Sequence, residues 1–502
     1  MVDFAALTEN LALGFGVALS WEALLYAMIG VTLGTFVGVL PGVGTMSAIA
    51  MLLPLTFLIE PTLAIIMLAG IYYGGAYGGS TASILLNLPG TPASAVTALD
   101  GYPMARGGRA GVALFVTTIA SFVGSVMGLM LLALVAPPLA QFALQFRSPE
   151  YFSLMVLGLM AAAILASSSP FRALASVVMG LLLGVVGIDM LSGTSRFTFG
   201  WPALFDGLPL VAVVIGLFGV PELIANARGG AYRRPQSVRL RDMLPGREDW
   251  RRVRPAMLRG GSIGAFFGAL PGTGGMIASF MAYAVEKRVS RRPEQFGKGA
   301  VEGVAAPETA NNSAVQTAFI PTLTLGIPGD PVMALMLGAL MIHGITPGTA
   351  LITSNPDIFW GLIASFVIGN VLLLVLNIPL INVWIRVLSV PRQILFPAIT
   401  AFVCIGVYSV NLAVADIVVL IVFGLLGYAL VLLRFQAAPL VLGLILGPMM
   451  EENLRRSLLI SRGDPMVFLD RPISATFLGL AGLLLVWLVV SELRRRRQPR
   501  TT

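Results

Sequence analysis

Long apolar stretches alternate with short polar connections along this chain. Those at 111–137, 150–168, 208–220, 358–390, 394–411, 413–434 and 473–491 approach the roughly 20 residues that a helix needs to cross a bilayer. The pattern predicts an all-α polytopic membrane protein with about ten to twelve membrane segments, several of them broken. The opening MVDFAALTENLALGF carries Asp3 and Glu9 and no basic residue, unlike a secretory leader, so no cleaved leader is expected.

Two of the broken segments resemble each other. GTFVGVLPGVGT at 34–45 aligns without a gap on GAFFGALPGTGG at 264–275, with seven of twelve positions identical. A second pair follows in the same order, NLPGTPASA at 87–95 and GIPGDPVMA at 326–334. Two matched pairs in order imply duplicated halves. Each first motif interrupts an apolar stretch, 24–58 and 261–285, with a Leu-Pro-Gly that a helix cannot continue through. The expected shape is a re-entrant helical hairpin that turns back at its tip, followed by a broken helix at the second motif. The expected organisation is a first membrane repeat over 1–225, a basic cytoplasmic linker over 226–258, a second membrane repeat over 259–450, and a C-terminal loop, final span and basic tail over 451–502.

Composition adds the solvent. With 57% hydrophobic and 11% charged residues over 502 positions and a mean hydropathy of +0.89, the chain holds more apolar surface than one core could hide from water. The formal charge of +8 is a topology signal, since the basic residues lie in short loops rather than on a nucleic-acid-binding face. No Lys or Arg precedes Arg106, and the basic runs at 228–260, 287–299 and 494–497 are expected in the cytoplasm. The second hairpin is flanked by Arg254, Arg259, Lys287 and Arg288, the first by Glu9, Glu22 and Glu60. Their mouths are therefore expected on opposite sides, making the repeats inverted. The basic loop at 451–472 sits one span from the arginine tail; either the last span is re-entrant or this loop departs from the rule.

Inverted repeats with interrupted helices are the pattern of many secondary transporters, which bind substrate and ion at half-helix ends. Irregular backbone is tolerated at membrane depth only against protein or a water-filled cavity. The tips Pro41, Gly42, Val43, Gly44 and Thr45, and Pro271, Gly272, Thr273 and Gly274, are candidates to bind a carboxylate through free N–H groups, with hydroxyls from Thr45 and Thr273. Close helix packing through the glycines is the competing reading. At the second motifs, Asn87, Pro89, Gly90 and Thr91 are substrate candidates, as are Ser80 and Thr81 in the glycine-rich GGAYGGSTAS. Thr91-Pro92 and Asp330-Pro331 both read as helix starts, which capping alone would explain. Asp330 lies in an otherwise apolar stretch, where a carboxylate is expensive. With Asn311, Asn312, Ser313 and Gly329 it is a candidate for coupling to sodium or protons. Glu308, just before this polar run, is either a loop carboxylate or part of the site, the loop being the preferred reading. The lone Cys404 and lone His343 signal neither a disulfide nor a metal cluster; the first reads as packing and the second as a helix end near the membrane surface, and no cofactor is expected.

The blocks GTFVGVLPGVGTMSAIAMLLPLTF, IYYGGAYGGSTASILLNLPGTPASAVTALDGYPMARGG, GAFFGALPGTGG and NNSAVQTAFIPTLTLGIPGDPVMALMLGAL together resemble the large permease subunit of the tripartite tricarboxylate transporters. The resemblance implies a multi-pass protein of the bacterial cytoplasmic membrane. It also implies symport of a di- or tricarboxylate received from a periplasmic binding protein, a small four-helix membrane partner, and an ion gradient rather than ATP. The chain lacks a GxxxxGK[ST] loop, in keeping with that energy source. The alternative classes are a membrane-embedded enzyme acting on lipid or peptide, for which no HExxH or Cys-His pair is evident, and a passive channel.

Overall fold

Local side-chain chemistry sets where the helices begin. Ser20 accepts a hydrogen bond from the Ala23 amide to start the helix Trp21–Val39. Glu60 does the same for Leu63 at the start of Pro61–Leu86, with proline at the first helical position, where its missing N–H costs nothing. The computed structural model describes residues 4–40, 44–165, 169–189, 192–227, 238–388 and 392–497. Helices dominate, and the strands among the described residues are the two-residue pair Gly187–Ile188 and Ser195–Arg196, antiparallel. Among the described residues, six helical stretches are long and apolar enough to cross a bilayer: Trp21–Val39, Pro61–Leu86, Ala95–Ala143 with a kink at Gly108, Pro356–Asn377, Val414–Leu432 and Pro472–Val490. Shorter apolar helices, among them Ser148–Ile164, Pro170–Gly184, Pro331–Ile342 and Pro397–Asn411, accompany them. The protein is thus an all-α membrane protein.

The described residues fall into two compact units. One comprises Met1–Ala140 and Leu210–Tyr428, the other Gln141–Pro209 and Ala429–Thr502. In the smaller unit, Gly180 and Gly443 bring the helices Pro170–Gly184 and Ala437–Ile460 together so closely that an added methyl would meet the opposing backbone. Arg196 and Arg455 both bridge Asp189 and Glu451, tying the strand pair to the second of those helices. Much of the final helix is exposed, Leu483, Val486 and Trp487 included, as expected of a face that meets lipid.

In the larger unit each of the two first motifs is flanked by a pair of helices. Trp21–Val39 precedes Thr45–Thr56 in the chain. Arg247–Gly268 leads to the turn at 269–273 and then to Gly274–Val289. The second pair of arms is pinned by the Arg259 guanidinium, which donates to both Glu286 oxygens at 2.8 and 2.6 Å. Each incoming arm lies against a later helix through three glycines spaced four apart. Gly30, Gly34 and Gly38 face the carbonyls of Met67, Ile71 and Gly75 on Pro61–Leu86. Gly260, Gly264 and Gly268 face those of Ala306, Ala310 and Ala314 on Glu302–Thr317. A Cβ at any of the six would overlap backbone, so these glycines set the closeness of approach, as small residues do between membrane helices.

The helices they press against are the most enclosed in the molecule. Every residue of Glu302–Thr317 is buried, as is Pro61–Leu86 from Ala64 to Ile84. An aromatic cluster fills the space beside them: Phe319 and Phe366 pack edge-on at 4.8 Å between centroids, and Tyr73 meets Phe366 at 5.4 Å. Such pairs contribute about 1 kcal/mol each beyond the area they bury.

Candidate substrate and ion site

Around the second tip the chain reverses through Leu270–Thr273. Gly272 has φ +81° and Gly274 φ +59°, left-handed values that side chains other than glycine's resist. The Gly272 amide donates to the Gly329 carbonyl at 2.8 Å, so the tip rests on the second Pro-Gly break. The Thr273 hydroxyl turns back on its own arm, donating to Phe267 O and, at 3.0 Å, to Leu270 O. It closes the last turn of the incoming helix, a use the sequence did not suggest. Pro271 completes the turn.

The break itself starts where Gly326 takes φ +69° and ends Phe319–Leu325. The Gly329 amide is held by the Thr322 hydroxyl at 3.3 Å. Asp330 then caps Pro331–Ile342 as expected, one carboxylate oxygen accepting from the Met333 amide at 2.8 Å. Its other oxygen accepts from the Tyr72 hydroxyl, a partner from the glycine-rich helix Pro61–Leu86. Asp330 is 7% exposed, and Gly274 stands against its Cβ, where an added methyl would come within 3.3 Å, closer than ordinary packing.

In the first half, Pro41, Gly42 and Val43 lie outside the described residues. Gly44 is left-handed at φ +65°, and the buried Thr45 begins the outgoing arm with its methyl against Gly75. Asn87 ends the preceding helix at φ +56° and is exposed together with Pro89. Gly90 sits between Gly38 and Gly79, its amide 3.4 Å from the Gly79 carbonyl. Thr91 does not begin a helix. The Ser94 hydroxyl accepts from the Thr91 amide and donates to the Thr91 carbonyl, closing a turn at 91–94, and the helix starts at Ala95. The Ser94 hydroxyl also accepts from Ser83 at 2.9 Å, so it serves this turn and makes no capping bond to Ala95–Met104.

Of the remaining candidates, Ser80, Thr81, Asn311, Asn312 and Ser313 are all buried. Ser313 donates to the Gly261 carbonyl at 2.9 Å, a contact between helices. Asn311 lines the second tip, its amide oxygen against Gly275. Glu308 is not in a loop: it is fully buried within Glu302–Thr317, because the polar run forms one helix enclosed by its neighbours. Thr97 and Ser121 donate to its carboxylate, the latter at 3.3 Å, and Asn312 bonds Ser121 at 2.8 Å. Tyr72, Tyr73 and Tyr77, with Asn370 and Gln316, complete the polar interior. Tyr77 donates to Asn370 at 3.1 Å, while the Tyr73 hydroxyl and both Gln316 amide atoms have no hydrogen-bond partner among the described residues. Buried polar atoms in that state are costly, and a file of them beside two carboxylates can receive an ion or polar ligand. The three tyrosines stand at close intervals in IYYGGAYGG, the one sequence signal that could have pointed to them.

His343 does lie at a helix end, following Pro331–Ile342, with Nε2 2.9 Å from the Thr56 hydroxyl. Burial holds its pKa below the ordinary value, with Glu60 opposing. A folded-state pKa below the unfolded one means that the neutral ring's contribution is present above the unfolded pKa and is lost as pH falls. A His343→Gln variant in detergent is expected to lose less thermal stability than wild type between about pH 6.5 and about pH 5; equal losses in both would show that the ring's titration is not felt.

Comparison with known proteins agrees with this architecture. Residues 24–442 match the family model described as the tripartite tricarboxylate transporter TctA family. An uncharacterized 52.8 kDa protein in the TAR-I ttuC' 3' region of Agrobacterium vitis is 50% identical over 491 residues, 98% of either chain. An uncharacterized protein in the TAR-II ttuC' 3' region of the same organism is 52% identical over 234 residues, 47% of this chain and 97% of its own length. No solved structure matches significantly. A family match across most of the chain, on a helical membrane fold, establishes that the protein belongs to the tripartite tricarboxylate transporter TctA family, a family of transport proteins.

Proposed function

We propose that the protein is the permease of a symporter in the bacterial cytoplasmic membrane. It takes up a di- or tricarboxylate delivered by a periplasmic binding protein, works with a small four-helix membrane subunit, and is driven by an ion gradient. Substrate binds between the two hairpin tips and the two Pro-Gly breaks, and the tips move relative to the rest to expose it alternately to either side. Asp330, Asn311, Asn312, Ser313 and Gly329 serve the coupling ion; Ser80, Thr81 and the tip and break residues serve the substrate.

The observation that carries this reading is the seating of a hairpin tip on a Pro-Gly break, Gly272 on Gly329, beside a buried carboxylate and unpaired polar atoms. Duplicated, inverted halves over 1–225 and 259–450 are supported by contacts in register with the sequence alignment. The aligned Gly34 and Gly264 both face carbonyls, the aligned Gly44 and Gly274 are both left-handed, and the aligned Asn87 and Gly326 both end helices in that conformation. Inversion itself rests on the loop charges.

The test is accumulation of radiolabelled carboxylates in proteoliposomes, with binding protein and small subunit each added or omitted, under an imposed sodium or proton gradient. Concentrative uptake that needs the binding protein and a gradient is expected. Flux that only equilibrates would indicate a channel, and no flux with any combination would reopen the membrane-enzyme reading.

A further inference from the structure

Glu308 is a carboxylate placed where a membrane protein has least reason to keep one. It is fully buried, and no basic side chain is among the groups acting on it; the other ionisable group close enough to register is Tyr77. Asp100, three residues beyond Thr97, is turned elsewhere, accepting from the amides of Gly297, Gly299 and Ala300 and from the Tyr283 hydroxyl. What surrounds Glu308 is oxygen. The Thr97 and Ser121 hydroxyls bond its two carboxylate atoms, and those of Ser80 and Thr117 lie beside it without completing a well-formed hydrogen bond. The amide oxygen of Asn312, one turn along the same helix, is buried without a partner.

These groups come from four helical segments: Pro61–Leu86, Ala95–Met104, Ala110–Ala143 and Glu302–Thr317. One negative charge ringed by neutral oxygens suits a hard cation of single charge. A divalent ion would leave an uncompensated positive charge in the interior, which is expensive. A proton on Glu308 would supply one donor, whereas three oxygens here, those of Ser80, Thr117 and Asn312, have unused capacity. We infer that Glu308, Thr97, Ser121, Ser80, Thr117 and Asn312 form a binding site for one sodium ion, separate from Asp330. The inference rests on the symporter reading for its purpose: an ion there ties the first hairpin's partner helix to the second's, so its arrival and departure couple to their rearrangement.

The test is equilibrium binding of radioactive sodium to the purified full-length chain in detergent, at ionic strength held constant with N-methylglucamine. Glu308→Gln keeps the shape and removes the charge; Thr117→Val keeps both shape and charge and removes one oxygen. Each is expected to weaken sodium binding at least about tenfold, while Thr118→Val, which removes a neighbouring hydroxyl that bonds only the Leu114 carbonyl of its own helix, leaves it unchanged, all three eluting as wild type does from size exclusion. Should Glu308→Gln aggregate, Thr117→Val decides alone. Wild-type affinity in Thr117→Val and Glu308→Gln, an equal loss in Thr118→Val, or no sodium binding by the wild type would each overturn the site. Because binding is measured without gradient or substrate, sodium bound at Glu308 alongside failed carboxylate uptake would sink the transport reading and leave the site standing.

Discussion

Gly272→Val is expected to abolish carboxylate uptake in proteoliposomes while the protein still reaches the membrane. Gly272 holds φ +81° and passes its amide to Gly329. A β-branched residue in that conformation costs about 1–3 kcal/mol, which the chain relieves by leaving it. The amide then swings off the Gly329 carbonyl, and the tip loses its seat on the break. A displacement of about 1 Å at a binding site can cost on the order of a hundredfold in rate, so uptake should fall by about that factor. The control is Gly193→Val, since Gly193 is also left-handed, at φ +67°, with open space around it. It suffers the same backbone strain without touching either tip. If both variants transport equally well, or fail equally, the tip has no special role and Gly272 is only a turn residue.

How much of this was legible beforehand depends on the range of the physics involved. Proline, glycine and capping residues act within four residues of themselves, so the end of Arg247–Gly268 at the second Leu-Pro-Gly and the Asp330 cap could be read directly. Thr91 shows the limit of local reading: Ser94, bonded back to Thr91 and reached by Ser83 from another helix, closes a turn there, and the helix begins only at Ala95. Glu308 shows a different limit. Its partners Thr97 and Ser121 are 211 and 187 residues away, and each is an unremarked hydroxyl in a local apolar context. The Tyr72 bond to Asp330 spans 258 residues. Repeats found by alignment could suggest that the two halves meet, but not which side chains face each other when they do. The matching residues would not have helped, since duplicated motifs specify backbone while the polar interior is asymmetric. Asp330 aligns with Thr91, and the first half contributes tyrosines where the second contributes amides.

That asymmetry bears on the second large effect, at Asp330. Its two oxygens do different work, one capping Pro331–Ile342 through Met333 and the other accepting from Tyr72. Asparagine is as good a cap as aspartate, so Asp330→Asn retains the helix start and a hydrogen-bond acceptor for Tyr72 but not the charge. If Asp330 served only as a cap, this variant would transport normally. The symporter reading instead expects it to fold, keep its thermal stability within about 1 kcal/mol, and lose uptake by on the order of a hundredfold. Asp330→Ala should be less stable by about 2 kcal/mol, since it gives up the cap and strands a buried tyrosine hydroxyl. Tyr72→Phe removes the bond from the other side and leaves the charge in place. Comparing it with the Asp330→Asn, Tyr72→Phe double variant isolates what the pair contributes jointly. Losses that multiply would mean that the hydroxyl and the charge act independently. A double variant no worse than Asp330→Asn would mean that Tyr72 works through Asp330, positioning the charge at the tip against which Gly274 is packed.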